Sequence, residues 1–138
     1  MALAAQKIYQ NLEENVAHMY ALKKRLAEGL RTLDQVKIHG MEAEEGAPHI
    51  LNASFLGIRS EVLLHTLEDR GIYVSAGSAC SSHKRAGSAT LTAIGCSKAE
   101  MESAVRFSFC ETNTEEEIDQ TLAVLGEVLP LLRKYTRR

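Results

Sequence analysis

Apolar side chains recur at steps of three and four through the first thirty residues. Ile8, Leu12, Val16, Met19, Leu22, Leu26 and Leu30 form one stripe, the spacing of an amphipathic helix. The helix-forming run Met1 to Ala5 precedes it with no capping residue. The period then changes. Val36-Lys37-Ile38-His39 alternates up to Gly40, and His49 to Leu56 is a mostly apolar run closed by Gly57, so both predict short strands. Residues 41–48 between them are acidic and small and end in Pro48, a loop composition. Ser60 is placed to cap a helix running through Asp69, with Val62, Leu63 and Leu67 on one side and Gly71 as its stop. Ile72-Tyr73-Val74 predicts a third, very short strand. Past a Ser/Ala/Gly-rich stretch, Ser88 to Ile94 has a helical pattern stopped by Gly95.

Two capping boxes follow, in which a hydroxyl and a carboxylate three residues apart satisfy each other's free backbone N–H. The first is Ser97-Lys98-Ala99-Glu100; the second is Thr114-Glu115-Glu116-Glu117, whose carboxylates sit where the helix dipole favours them. Between them Ala104 to Phe109 alternates strictly, which puts Val105, Phe107 and Phe109 on one face of a strand and Arg106 and Ser108 on the other. Ile118, Leu122, Leu125, Leu129 and Leu132 carry a last helix to the basic end Arg133-Lys134. The predicted order is α-β-β-α-β-α-α-β-α. It implies an α+β fold, a small, mostly antiparallel sheet of about four short strands with amphipathic helices packed on one face. At 138 residues the chain reads as a single small domain, 1–138.

Composition narrows the function classes. The chain is 45% apolar and 25% charged, with a net charge of −2, so nothing points to nucleic acid or an anionic membrane surface as partner. It has no run of eighteen apolar residues and no signal-peptide pattern. Cys80, Cys96 and Cys110 are odd in number and lack the spacing of a disulfide framework or a zinc knuckle. Reduced thiols, a cytoplasmic location and no metal site are the expectation.

Cys80 is unusual in its setting. The stretch YVSAGSACSSHKRAGSA places one thiol among Ser, Ala and Gly, with His83, Lys84 and Arg85 just beyond. Small neighbours give the backbone freedom, and nearby positive charge lowers a thiol's pKa. Cys80 therefore reads as a reactive thiol on a flexible tether, residues 75–87, with too few apolar side chains to offset the entropy of fixing it. The competing reading is an ordinary loop carrying an inert cysteine. Arg106 has two readings as well: a solvated outer-face residue, or a planar fork suited to a carboxylate.

The segment GIYVSAGSACSSHK, followed by AVRFSF and NTEEEID, resembles the C-terminal part of the NifS/IscS-type cysteine desulfurases. These are fold-type I, pyridoxal-phosphate (PLP) enzymes of the class V aminotransferase group. PHILNASFLGIRSEVLLHTLEDRGIYVS is similar to the small domain of the same family, and the resemblance spans residues 8–132. It implies that Cys80 is the catalytic cysteine, whose thiolate takes the sulfur of PLP-bound L-cysteine and leaves L-alanine and an enzyme persulfide. The loop then carries that persulfide to an acceptor. It implies that Arg106 binds the substrate carboxylate and that Asn52 lies near the active site. Ser78, Ser81 and His83 are loop neighbours of the cysteine with no assigned chemical step. The implied acceptor is an iron–sulfur scaffold protein or a tRNA-thiolation enzyme.

The sequence also departs from the family pattern. Cys110 stands where many members have glycine, and Gly87 where proline is common. Ser81-Ser82-His83-Lys84 has the S-x-H-K form of the family's PLP-lysine motif, but it follows the cysteine and no G-P-K-G comes after it, so the context is wrong for a Schiff-base lysine. The family's cofactor-binding large domain does not fit in this length. The expectation is thus a small domain lacking that upstream part, with no PLP bound and no turnover by itself, a reading in keeping with the uncapped start inside a helix. Uncovered surface on the Arg106 face and the first helix then favours self-association into a homo-oligomer. The alternatives are a free-standing persulfide carrier without PLP and a non-catalytic interaction module.

Overall fold

The computed structural model describes residues 3, 6, 9–76 and 88–136. Its elements are α1 Leu12–Arg31, β1 Val36–His39, β2 Ile50–Phe55, α2 Ser60–Glu68, β3 Ser75–Ala76, α3 Ala89–Ala93, α4 Lys98–Glu102, β4 Ala104–Ser108 and α5 Glu115–Thr136. The order is the one the hydrophobic pattern predicts. The strands form one sheet in the order β1-β2-β4-β3, and each neighbouring pair is antiparallel.

Alternation sorts the side chains of this sheet. Leu51, Ala53 and Phe55 on β2 and Val105 and Phe107 on β4 point to one face and are buried. Leu22, Leu26 and Leu30 of α1, Leu63 and Leu67 of α2, and Leu125, Val128 and Leu129 of α5 close over them in a single core. Phe55 and Phe107 meet edge to face, ring centres 6.3 Å apart, an arrangement the ring quadrupoles favour. Leu67, the last apolar contact of α2, also accepts Ile72 N–H at 2.9 Å, while Gly71 takes φ +77°. Glycine is suited to that turn because it carries no Cβ to clash.

Both capping boxes form. Ser97 Oγ accepts from Glu100 N–H and the Glu100 carboxylate accepts from Ser97 N–H. Thr114 and Glu117 exchange the same pair of bonds at 3.3 and 3.1 Å.

Four local expectations need correction. The first thirty residues are not one helix: residues 9 and 10 are helical, but Asn11 turns to φ −125° and ψ 28° before α1 begins. Leu12, near the start of the predicted stripe, is also exposed, as is Tyr9 shortly before it. Ser60 is the first residue of α2, not its cap; Arg59 holds the cap position with extended backbone. Val62 is exposed whereas Leu63 and Leu67 are fully buried. Finally, the third strand lies at Ser75–Ala76 rather than 72–74. The stretch expected to be a loop, 75–87, therefore begins with two paired residues, and its remainder, 77–87, lies outside the described residues.

α1 and α5 approach closely at Gly29, where a Cβ would come within 2.3 Å of Leu122 Cδ1 and 3.0 Å of its Cγ. Alanine at an ordinary helix position gains about 1 kcal/mol over glycine, but overpacking costs about 1–3 kcal/mol. Gly29→Ala is therefore expected to destabilise the chain by about 1 kcal/mol, whereas in a Leu122→Ala background the same change is expected to stabilise it. Urea unfolding of the four chains of this cycle checks the change of sign.

Candidate functional site

The face of the sheet opposite the core is polar, and strand register arranges it in rows. His39 pairs with Asn52, Asn52 with Arg106, and Arg106 with Ser75, so these four residues lie side by side across all four strands. The next row holds Lys37, Ser54 and Ala104. Cross-strand neighbours on one face are within side-chain reach of each other. Thus Asn52 and Arg106, far apart in the sequence, become adjacent.

Their surroundings differ. Arg106 is exposed, and no hydrogen bond or ion pair engages its guanidinium among the described residues. Asn52 is half-buried, and its side-chain oxygen is fully buried with no hydrogen-bond donor among the described residues. An acceptor held this way carries a desolvation cost of about 1–3 kcal/mol, and it marks a place where a donor can be received. A free, exposed guanidinium suits a small carboxylate, which its planar fork can take with two parallel bonds, while the buried Asn52 oxygen is shielded beside it.

The lower row is closed by α4. Ser54 is buried and donates to the Glu100 carbonyl at 2.6 Å. Lys37 pairs with the Glu100 carboxylate. The bond from Lys37, with those from the Ser97 backbone and hydroxyl, holds the Glu100 pKa down at about 2. His39 Nε2 lies 2.6 Å from Ser54 Oγ, and its Nδ1 lies 3.4 Å from Cys96 Sγ. The sequence reading missed this cluster. Only the alternation of Lys37 and His39 in β1 hinted at it; Cys96 is brought in by the turn after α3.

Of the residues singled out in the sequence, the structure brings Asn52 and Arg106 together. Cys80, Ser78, Ser81 and His83 lie outside the described residues. Whether these groups could hold PLP can be tested on the polar face. The four strands contain no aspartate to face a pyridine nitrogen. Lys37, the lysine of that face, is committed to Glu100, and Lys23 is committed to the carbonyls of Glu45 and Ala47. The described residues therefore do not fit a PLP site by themselves.

Comparison with known proteins adds the ancestry. The model of the family described as "Aminotransferase class-V" matches residues 1–121. The chain belongs to the class-V aminotransferase family. Within it, a "NifS/IcsS protein homolog" from Lactobacillus delbrueckii subsp. bulgaricus is 40% identical over 128 residues, covering 93% of this chain and 33% of that protein. "Cysteine desulfurase IscS" from Vibrio atlanticus is 38% identical over 124 residues, covering 90% and 30% respectively. Among solved structures, a "NIFS-LIKE PROTEIN" superposes with a TM-score of 0.81 at 33% identity, over 95% of this chain and 32% of that one. The chain thus spans about a third of the length of the class-V relatives it matches. The resemblance to class-V, NifS/IscS-type proteins read from the sequence is confirmed at the level of family, and the expected α+β fold with a four-stranded antiparallel sheet is present.

The Glu100 carboxylate ties α4 to β1 and caps its own helix, which makes stability pH-dependent in a defined direction. Its folded pKa, about 2, lies below the ordinary value of 4.5. Its contribution is therefore complete above 4.5 and is lost as pH falls from 4.5 towards 2. Glu100→Gln is expected to unfold at lower urea than the unsubstituted chain at neutral pH, with the gap closing across that acid window. A gap that stays constant with pH would contradict this origin.

Proposed function

We propose that this chain is the substrate- and sulfur-handling part of a cysteine desulfurase, which converts L-cysteine to L-alanine and an enzyme-bound persulfide in the cytoplasm. The observation that carries the reading is Arg106. It is unpartnered among the described residues and register-paired with Asn52, on a strand whose sequence resembles the family's carboxylate-binding strand. The names of the relatives support the same activity.

In this reading Arg106 grips the L-cysteine carboxylate with two parallel N–H bonds, and Asn52 helps to orient the amino acid. Cys80 attacks the substrate sulfur. One S–S bond forms, the substrate C–S bond breaks, and L-cysteine plus the Cys80 thiol give L-alanine plus the Cys80 persulfide. The cofactor of the reaction, PLP, belongs to the part of the relatives' length that this chain does not span. The persulfide sulfur then passes to an acceptor such as an iron–sulfur scaffold or a tRNA-thiolating enzyme.

The test is a chimera in which this chain replaces the matching third of the Lactobacillus relative. The chimera is expected to form alanine from L-cysteine with PLP, and the 138-residue chain alone is not. In the chimera Cys80→Ser should abolish alanine formation. Arg106→Ala should raise KM for L-cysteine by about 10–100-fold, the worth of a charge-assisted bond of about 1.5–3 kcal/mol. An active chimera indifferent to Cys80→Ser would overturn the proposal, as would brisk sulfide release by the chain alone.

A further inference from the structure

Cys96 is not a solitary thiol. Gly95 at φ +80° ends α3 and turns the chain so that Cys96 N–H donates to the Leu91 carbonyl at 2.9 Å, which fixes the start of the side chain. The half-buried thiol then meets His39 Nδ1 at 3.4 Å. The rest of the network settles the histidine tautomer. Ser54 Oγ has one proton and gives it to the Glu100 carbonyl at 2.6 Å, so it can only accept from His39 Nε2. Nε2 therefore carries the imidazole hydrogen, and Nδ1 presents its lone pair to the sulfur. A fully buried serine holding a histidine from behind, with a thiol in front, is the arrangement of a nucleophile, its base and the group that orients the base.

We propose that Cys96 is a second sulfur-accepting thiol of this chain, with His39 as its general base. The choice of sulfane sulfur as the incoming group rests on the desulfurase reading; the nucleophile and base do not. The step balances without an oxidant. Cys96 Sγ attacks the outer sulfur of a persulfide or polysulfide, one S–S bond forms and one breaks, and the donor leaves as a thiolate. The Cys96 proton passes to His39 Nδ1 and then to that leaving thiolate.

The electrostatics explain why a base is needed. Burial raises the Cys96 pKa and lowers that of His39, so both are neutral at rest. The charges facing the pair are the Glu100 carboxylate from α4, which raises both, and the Lys37 ammonium from β1, which lowers both. Held against each other, they leave a thiol with little thiolate of its own. Attack at neutral pH then depends on proton transfer to the imidazole as the new bond forms.

The probe is inorganic polysulfide added to the Cys80→Ser chain, followed by intact-mass and peptide mapping against time, with the exposed Cys110 as internal reference. The expected result is one sulfur gained at Cys96. His39→Asn should slow that gain about 100-fold with Cys110 unchanged. Sulfur found at Cys110 but not Cys96, or a His39→Asn effect shared equally by both thiols, would overturn the proposal. If His39→Asn unfolds by circular dichroism, the pH profile of the unsubstituted His39 chain decides. A rise with imidazole deprotonation and then a plateau supports the dyad; a rise confined to the thiol range overturns it. Failure at Cys96 leaves the Cys80 chimera result untouched, and the reverse holds as well.

Discussion

The pairing register of β2 with β4 governs the molecule. Ala53 opposite Val105 and Leu51 opposite Phe107 turn five central side chains, Phe55 included, into the floor of the core, and the same register sets Asn52 opposite Arg106 on the other side. Side-chain direction in a strand has a period of two, so a slip of one residue would bury Arg106 and expose Val105 and Phe107. Burying an unpaired guanidinium and exposing a phenylalanine are each costly. Core packing therefore pins the register, and the pinned register places the polar row. The row needs no contacts of its own to hold its place, so among the described residues Arg106 stands unpartnered and the Asn52 oxygen unmatched.

Much of this was legible in the sequence because it is periodic or local. The strict alternation at 104–109 assigned Arg106 to the polar face and Val105 and Phe107 to the core, and both capping boxes announced their helices. What was not legible depends on contacts between distant segments. Nothing in Val36–His39 says that its partner is β2, so the row joining His39 to Asn52 and Arg106 emerges only in the sheet. β3 was misplaced because Ile72 and Val74 carry the apolar side chains while Ser75 and Ala76 make the bonds. The apolar residues pack against the core; the small ones are free to pair with β4 at its edge. Asn11 interrupts the helical stripe although the apolar period runs through it, because periodicity reports a face and not continuity of backbone.

Family membership and chain length shape what the structure can do by itself. The described residues offer one face of a candidate site: the Arg106 guanidinium beside Asn52 on a sheet fixed by its core. Among the described residues the face carries no group set that fits PLP. Lysines 23 and 37 are both spent on structure, one on the carbonyls of the loop before β2 and the other on α4. That division is physically sensible. A wall suited to a carboxylate is rigid and exposed, whereas a cofactor site is enclosed; the row through Arg106, left uncovered at Arg106 while α4 closes the row beside it, has the first character and not the second.

The two thiols then stand in opposite regimes. Cys80 lies among small residues with cationic neighbours in sequence, conditions that favour thiolate. Cys96 lies at a fixed turn, raised by burial, and must borrow a base. A thiol of the first kind is activated by its sequence neighbours; one of the second kind is reactive only where it sits, toward partners that reach the edge of the sheet between β1 and α4. If sulfur moves through this chain at both, Cys80 is where sulfur is collected, and Cys96 is a fixed place where it can be held. The Ser54–His39 bond is what separates these roles, since without a fixed imidazole Cys96 would be one more half-buried, protonated cysteine.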